Sequence, residues 1–98
     1  MKLSQELSQL LIRARDENEL AVLLEGVLTP QELEEVVERC RLLTRLLAGQ
    51  KQREIAKDLG VSLGKISRGS RLLQYGSPHF REALRRITRE LEDDTDER

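Results

Sequence analysis

Basic side chains are concentrated in the middle of this chain, where they could neutralise phosphate groups. Residues 39–73 carry nine Lys or Arg side chains against two acidic ones, a local charge of +7 in a 98-residue chain whose net charge is −1. Residues 1–38 carry −6 and residues 74–98 carry −2. Because salt screens charges beyond about 8–10 Å, a partner senses this local field rather than the average. The basic stretch favours DNA as a partner over the alternative of a solvated helix face.

Side chains for catalytic or metal chemistry are scarce. His79 is the only histidine and Cys40 the only cysteine, so there is no Cys/His cluster with metal-ligand spacing and no intrachain disulfide. Cys40 falls on the apolar side of a predicted central helix, where we expect it in the core. No segment approaches the ~20 apolar residues of a membrane span, and the first residues lack a secretion signal. We expect a cytoplasmic protein without enzyme activity, cofactor or metal.

The spacing around Gly60 is typical of a helix-turn-helix at about residues 52–73. Gly60 ends the first helix in a conformation that costs other residues energy, and Ser62 can cap the second helix. The basic residues point away from the apolar ones, which two ordinary packed helices would not require. The apolar residues that would join the two helices recur at helical spacing: Ile55, Ala56, Leu59, Val61 and Ile66.

The second helix of this motif, from Leu63 to about Gln74, is the expected recognition helix, because the N-terminal residues of such helices reach base edges. Arg53 is the best candidate for a guanine contact, where a bidentate pair contributes about 1–3 kcal/mol of discrimination. Leu63 and Gly64 favour apolar contacts, water-mediated readout or close backbone approach, whereas we expect Lys57, Lys65 and Arg71 to meet phosphates. The full set of expected DNA contacts is Gln52, Arg53, Lys57, Ser62, Leu63, Gly64, Lys65, Ser67 and Arg71.

Three helices are predicted before the motif. The spacing of leucine and valine indicates helices over about 3–15 and from about residue 20 to near Gly26. The central helix should run over about 30–48. It starts with a capping box, in which Thr29 caps the helix and Glu32 reaches back to it, with a proline between them at the first helical position.

A last helix should begin at Pro78 and carry a clean apolar face. Residues 93–98 are charged and without pattern, so we expect a disordered acidic tail after a single all-helical domain over residues 1–92. Only 2% of the chain is aromatic. A core this small and aliphatic is commonly stabilised by packing against a second copy of the chain. We therefore expect a homodimer. The apolar face of the last helix comprises Phe80, Ala83, Leu84, Ile87 and Leu91.

Three short motifs resemble the tryptophan repressor family, and the resemblance covers roughly residues 20–90. In order, they are Leu-Thr-Pro at 28–30, Gln-Arg-Glu at 52–54 and Arg-Gly-Ser at 68–70. The resemblance implies an all-α fold, a six-helix chain with a helix-turn-helix in an intertwined homodimer. It also implies a repressor of tryptophan biosynthesis genes that L-tryptophan activates. The partners it implies are double-stranded operator DNA, a second copy of the chain and L-tryptophan.

The same resemblance implies a ligand site. Arg39 and Arg68 would sandwich the indole ring, and Arg68, assisted by Thr29, would pair with the carboxylate. A guanidinium plane stacks on an aromatic face, and its fork matches a carboxylate. Gly69 would leave room for the ring. The complete implied set is Arg39, Arg68, Thr29, Gly69, Leu28, Leu43 and Leu72.

Leu72 departs from the family pattern. It stands two residues beyond Arg-Gly-Ser, where the family has a serine that helps to bind the ligand's amino group. Leucine cannot accept that hydrogen bond, so the ammonium must rely on backbone carbonyls near Val27 and Leu28, or the ligand differs. Two alternatives therefore stay open: a regulator of the same fold with a different ligand or none, and a helical dimerisation module that does not touch DNA.

Overall fold

The computed structural model describes residues 3–96, and within that range the chain is all-α, with six helices and no strand. The helices are α1 (Gln5–Ile12), α2 (Glu17–Val27), α3 (Pro30–Leu47), α4 (Gln52–Leu59), α5 (Leu63–Tyr75) and α6 (Pro78–Asp96). The chain divides into two compact units after Val36. The predicted fold class is confirmed, whereas a single domain over residues 1–92 stays a prediction.

The first unit opens with two short helices, each started by a side-chain cap. The Ser4 hydroxyl accepts a hydrogen bond from the backbone N–H of Leu7 at 3.2 Å, and the Asp16 carboxylate accepts one from Glu19 at 2.8 Å. These caps satisfy donors that have no partner inside a helix. Neither α1 nor α2 contains a fully buried residue, so packing within the unit leaves both helices partly exposed.

The start of α3 is the predicted capping box. The backbone N–H of Thr29 donates to Oε1 of Glu32 at 2.9 Å, and the N–H of Glu32 donates to Oγ1 of Thr29 at 3.1 Å. The hydrogen bond from the Thr29 backbone, followed by that with its side chain, lowers the pKa of Glu32 below its ordinary value. Both favour the carboxylate over the protonated acid. Here the local sequence alone determined where the helix begins.

The second unit contains the core. Its buried residues come from the second half of α3, from α4 and α5, and from the turn between these two helices. Leu84 of α6 packs against them and is partly buried, as are Leu46, Ala56 and Leu59. Hydrophobic burial around α5 therefore fixes the position of this helix against α3 and α4. The buried residues are Leu42, Leu43, Ile55, Val61, Ile66 and Leu73.

Three helix boundaries differ from the sequence-based expectation. Helix α2 begins at Glu17 rather than at about residue 20, because the Asp16 carboxylate caps it. Helix α1 ends at Ile12 rather than near residue 15, because the N–H of Ala14 donates to the carbonyl of Leu11, three residues back, and the α-helical pattern stops there. The backbone is then extended at Asp16, the cap of α2 (φ −157°, ψ 179°). Helix α6 continues to Asp96, whereas the disordered tail was expected from residue 93. No Gly or Pro interrupts this stretch, and each added helical residue gains a backbone hydrogen bond. Residues 97 and 98 of the expected tail lie outside the described residues.

The expectation that Cys40 lies in the core is wrong for the single chain, because Cys40 is exposed. The buried part of α3 begins at Leu42, and the turn that holds Cys40 precedes it. Several large apolar residues are also exposed, among them Val22, at 67%, and Leu91, at 61%. Within residues 3–96, no helix combines the length and the apolar content needed to cross a membrane.

Candidate nucleic-acid interface

Helices α4 and α5 are joined by the tight turn that the sequence predicts. Gly60 has left-handed backbone angles (φ 65°, ψ 31°), which glycine adopts at no steric cost. The N–H of Val61 donates to the carbonyl of Ala56 at 3.3 Å, and the Val61 side chain is buried. The Ser62 hydroxyl accepts from the N–H of Lys65 at 3.2 Å and so caps α5. The turn therefore fixes the direction in which α5 leaves α4.

The packed side of α5 is formed by Ile66, Gly69 and Leu73, which are buried at helical spacing. Ile66 and its partner in α4, Ile55, are fully buried. A β-carbon placed on Gly69 would lie 2.5 Å from Cδ1 of Leu42 in α3. Gly69 is thus the residue that lets α5 approach α3 closely.

The residues expected on DNA lie on the outside of this helix pair. All nine are exposed, so none of them is part of the core. They lie along α4, in the turn and in the first three turns of α5. This arrangement leaves both polar and small side chains accessible at the N-terminal end of α5. The nine exposed residues are Gln52, Arg53, Lys57, Ser62, Leu63, Gly64, Lys65, Ser67 and Arg71.

Six of the exposed residues of α5 lie in two adjacent rows, because positions three and four apart share a helix face. Gly64, Ser67 and Arg71 form one row. Lys65 belongs to the other row, with Arg68 and Leu72, both of which are residues of the implied ligand set. The sequence grouped Lys65 with the DNA contacts, but the helix geometry places it beside the ligand set.

Lys65 forms an ion pair with Glu38 of α3. Its Nζ lies 3.0 Å from Oε1 of Glu38, and the two side chains are 54% and 37% exposed. The pair joins the middle of α3 to the first turn of α5. Sequence analysis missed Glu38, because the two residues are far apart along the chain and only the packing of α5 on α3 brings them together.

A second polar cluster joins α3 to α4. Oδ2 of Asp58 accepts hydrogen bonds from Nη1 of Arg45 at 3.3 Å and from Nε2 of Gln50 at 3.0 Å. Asp58 is one of only two acidic residues within the basic stretch 39–73, which is the sequence feature that could have drawn attention to it. The cluster connects the last turn of α4 to the last turn of α3 and to the segment between the two helices.

The implied ligand residues of the second unit are divided between the surface and the core. Arg39, Arg68 and Leu72 are exposed, whereas Leu43 and Gly69 are buried. Leu42 and Leu43 of α3 stand opposite Gly69, so the space beside this glycine is occupied by leucine side chains. The two guanidinium groups are accessible to a ligand that approaches from solvent.

The other two implied ligand residues belong to the first unit. Leu28 is partly buried and Thr29 is exposed. The Thr29 hydroxyl oxygen already accepts the N–H of Glu32, so its hydrogen is still available as a donor. In the part of the chain that the structure describes, no group of three or more His, Cys, Asp or Glu residues could hold a metal ion.

Known proteins are similar to this sequence over most of its length. The family described as Trp repressor protein matches residues 2–88. The chain is 38% identical over 69 residues to a Trp operon repressor homolog of Xylella fastidiosa, an alignment that covers 69% of this chain and 75% of the relative. It is also 38% identical over 81 residues to a protein of the same name from Photobacterium profundum, covering 82% and 79%. No solved structure gives a significant match.

Proposed function

The chain belongs to the Trp repressor family, and from that premise we propose that it is a repressor that L-tryptophan activates and that binds operator DNA as a homodimer. The family resemblance, the all-α fold and the expectation of a transcriptional regulator rather than an enzyme are thereby confirmed. Tryptophan binding, DNA binding, dimerisation and a cytoplasmic location are the parts that we propose.

The proposal rests on the observation that one side of α5 is buried while the other is exposed. Its buried residues hold it against α3 and α4, which leaves Gly64, Ser67 and Arg71 exposed in one row. The major groove of B-DNA is about 12 Å wide and admits an α-helix. With Arg53 exposed at the start of α4, the pair can present one base-reading arginine and several phosphate contacts to the same duplex.

The proposal also includes a second copy of the chain, because the protein would bind DNA as a homodimer. Helix-turn-helix dimers, among which the tryptophan repressors are known examples, bind half-sites about 34–36 Å apart in successive major grooves. The chain exposes apolar residues such as Val36 on α3 and Ile87 on α6, at 44% and 45%. Covering such residues with a second copy is favourable because burial removes apolar area from water.

In the proposed active form, L-tryptophan lies against α5 with its indole ring between Arg39 and Arg68. Both guanidinium groups are exposed, and the second can also pair with the carboxylate. The Leu42 side chain occupies the space beside Gly69 that the ring would need. We therefore expect this side chain to change rotamer when the ring binds. A coupling of about 1–3 kcal/mol between ligand and DNA is typical of such regulation.

Selection of duplexes from a random-sequence DNA library, with and without L-tryptophan, tests the proposal. We expect one sequence to be enriched only when tryptophan is present. Arg53→Ala should weaken binding to the enriched duplex by roughly 5- to 150-fold, and Arg68→Ala should abolish the dependence on tryptophan. Arg89→Ala, which removes an exposed arginine of α6, is the matched control and should retain both properties.

A regulator with a different ligand or none is the second candidate, and Leu72 favours it. Its side chain is 42% exposed in the row of the ligand set and offers no acceptor for an ammonium group. Enrichment of a sequence without tryptophan, together with no heat when tryptophan is titrated into the protein, would support this candidate. The absence of salt-dependent DNA binding would instead leave the helical dimerisation module.

A further inference from the structure

We propose that Glu38 limits the affinity of this chain for DNA by holding the ammonium group of Lys65 away from phosphates. This inference rests on the proposed DNA-binding function and deepens it. In the structure, Nζ of Lys65 lies 3.0 Å from Oε1 of Glu38, and Lys65 is a residue of the first turn of α5. The acidic partner thus neutralises a charge at the edge of the surface that would face DNA.

The helix geometry supports this role for Glu38. Lys65 shares a row with Arg68 and Leu72, three and seven residues further along α5, and not with Gly64, Ser67 and Arg71. The lysine therefore leaves α5 on the flank from which it reaches α3. A phosphate that contacts this side chain therefore competes with Glu38 for the ammonium group.

Because the pair is exposed, a phosphate can replace Glu38 as the partner of Lys65. At 54% and 37% exposure, the two side chains form an ion pair of the kind that contributes little to stability. A second ion pair in the basic stretch, Arg45 with Asp58 at 3.3 Å, lies between α3 and α4 and not on α5. Glu38 is therefore the acidic residue positioned to set how much charge the recognition helix presents to DNA.

The test measures binding to a mixed-sequence DNA duplex over a range of salt concentrations, because phosphate contacts dominate non-specific binding. We expect Glu38→Gln to bind roughly fivefold more tightly at low salt, the effect of a freed exposed ion-pair partner. The log–log salt slope should also steepen by about 0.9 for each additional phosphate that the protein neutralises. Circular dichroism establishes that each variant is folded.

Two further variants isolate the role of Lys65. Glu90→Gln removes an equally charged partner from the exposed pair that Arg86 and Glu90 form on α6 at 3.0 Å, and it should leave the salt slope unchanged. In a Lys65→Gln background, Glu38→Gln should no longer steepen the slope, because no lysine is freed.

Three results would overturn the inference: an unchanged salt slope in Glu38→Gln, an equal change in the Lys65→Gln background, or the same change in Glu90→Gln. If the unaltered chain binds no duplex even at low salt, the proposed function fails and this inference fails with it. Measuring the unaltered chain first distinguishes these failures.

Discussion

Glu32 and Thr29 show how two exposed side chains can determine where a helix begins. Each accepts a hydrogen bond from the backbone of the other, at 2.9 and 3.1 Å. The first N–H groups of a helix have no partner within it, so these bonds satisfy donors that would otherwise depend on water. Replacing a threonine cap by alanine typically costs about 1 kcal/mol. The predicted capping role of Thr29 is confirmed, whereas its role toward a ligand stays a prediction.

The lowered pKa of Glu32 gives this capping box a pH dependence. A carboxyl whose pKa is lowered on folding stabilises the fold above its unfolded pKa, about 4.3 for glutamate, and this contribution is lost as the pH falls through the lower folded value. We expect Glu32→Gln to unfold at a lower temperature than the unaltered chain at neutral pH. The difference should shrink in acid below about pH 4.

Thermal unfolding followed by circular dichroism across this pH range measures the effect. The matched control is Glu35→Gln, which removes one exposed carboxylate from the same helix without touching the capping box. If both variants differ from the unaltered chain in the same pH-dependent way, the capping box is not the cause.

At the scale of elements, α5 contains two glycines with opposite surroundings. A β-carbon on Gly69 would lie 2.5 Å from Leu42, whereas one on Gly64 would meet only the Ser62 hydroxyl oxygen, at 3.9 Å. Overpacking a core costs about 1–3 kcal/mol, and alanine gains up to about 1 kcal/mol over glycine within a helix.

We therefore expect Gly69→Ala to reduce the free energy of unfolding by roughly 1–2 kcal/mol. Gly64→Ala should leave it unchanged or raise it slightly. Urea unfolding of the two variants side by side measures both. A stable Gly69→Ala variant would mean that α5 does not need its close approach to α3.

The elements of the second unit could be predicted in detail because short-range chemistry determines their ends. Gly60, the Ser62 cap and the helical spacing of buried residues around Ile66 all follow from neighbouring positions in the sequence. Helix α1 was predicted too long, because the residues after Ile12, Arg-Ala-Arg, include no glycine or proline that would mark the end of a helix. The burial of Cys40 was predicted wrongly because it depends on which neighbours reach α3, a property that helical periodicity alone does not contain.

The candidate site was predictable only in part for a related reason. Exposure of the expected DNA contacts follows from the apolar stripe of α5, which the sequence shows directly. The pair of Lys65 with Glu38 joins residues 27 positions apart, and Asp58 contacts Arg45 and Gln50, which lie 13 and 8 positions before it. Such partners are set by the packing of α4 and α5 on α3, which the helical spacing of the residues does not specify.

At the scale of the whole molecule, the chain buries little for its size. The described residues include six buried apolar side chains, all in the second unit, while Ile12 and Tyr75 are 75% and 82% exposed. A small domain with a thin core is commonly stabilised by a second copy. In an obligate dimer, folding and association are one reaction, so stability depends on protein concentration.

We therefore expect the unfolding midpoint in urea to rise with protein concentration, by about 1.4 kcal/mol of apparent stability for each tenfold increase. Ile87→Glu places a charge on the exposed apolar side of α6. Because a buried unpaired charge is costly, this variant should sediment as a smaller species than the unaltered chain and unfold at lower urea. Arg89→Gln, at an exposed polar position of the same helix, should retain the concentration dependence. If the urea midpoint of the unaltered chain does not change with protein concentration, the chain folds as a monomer. Only association makes the midpoint depend on protein concentration.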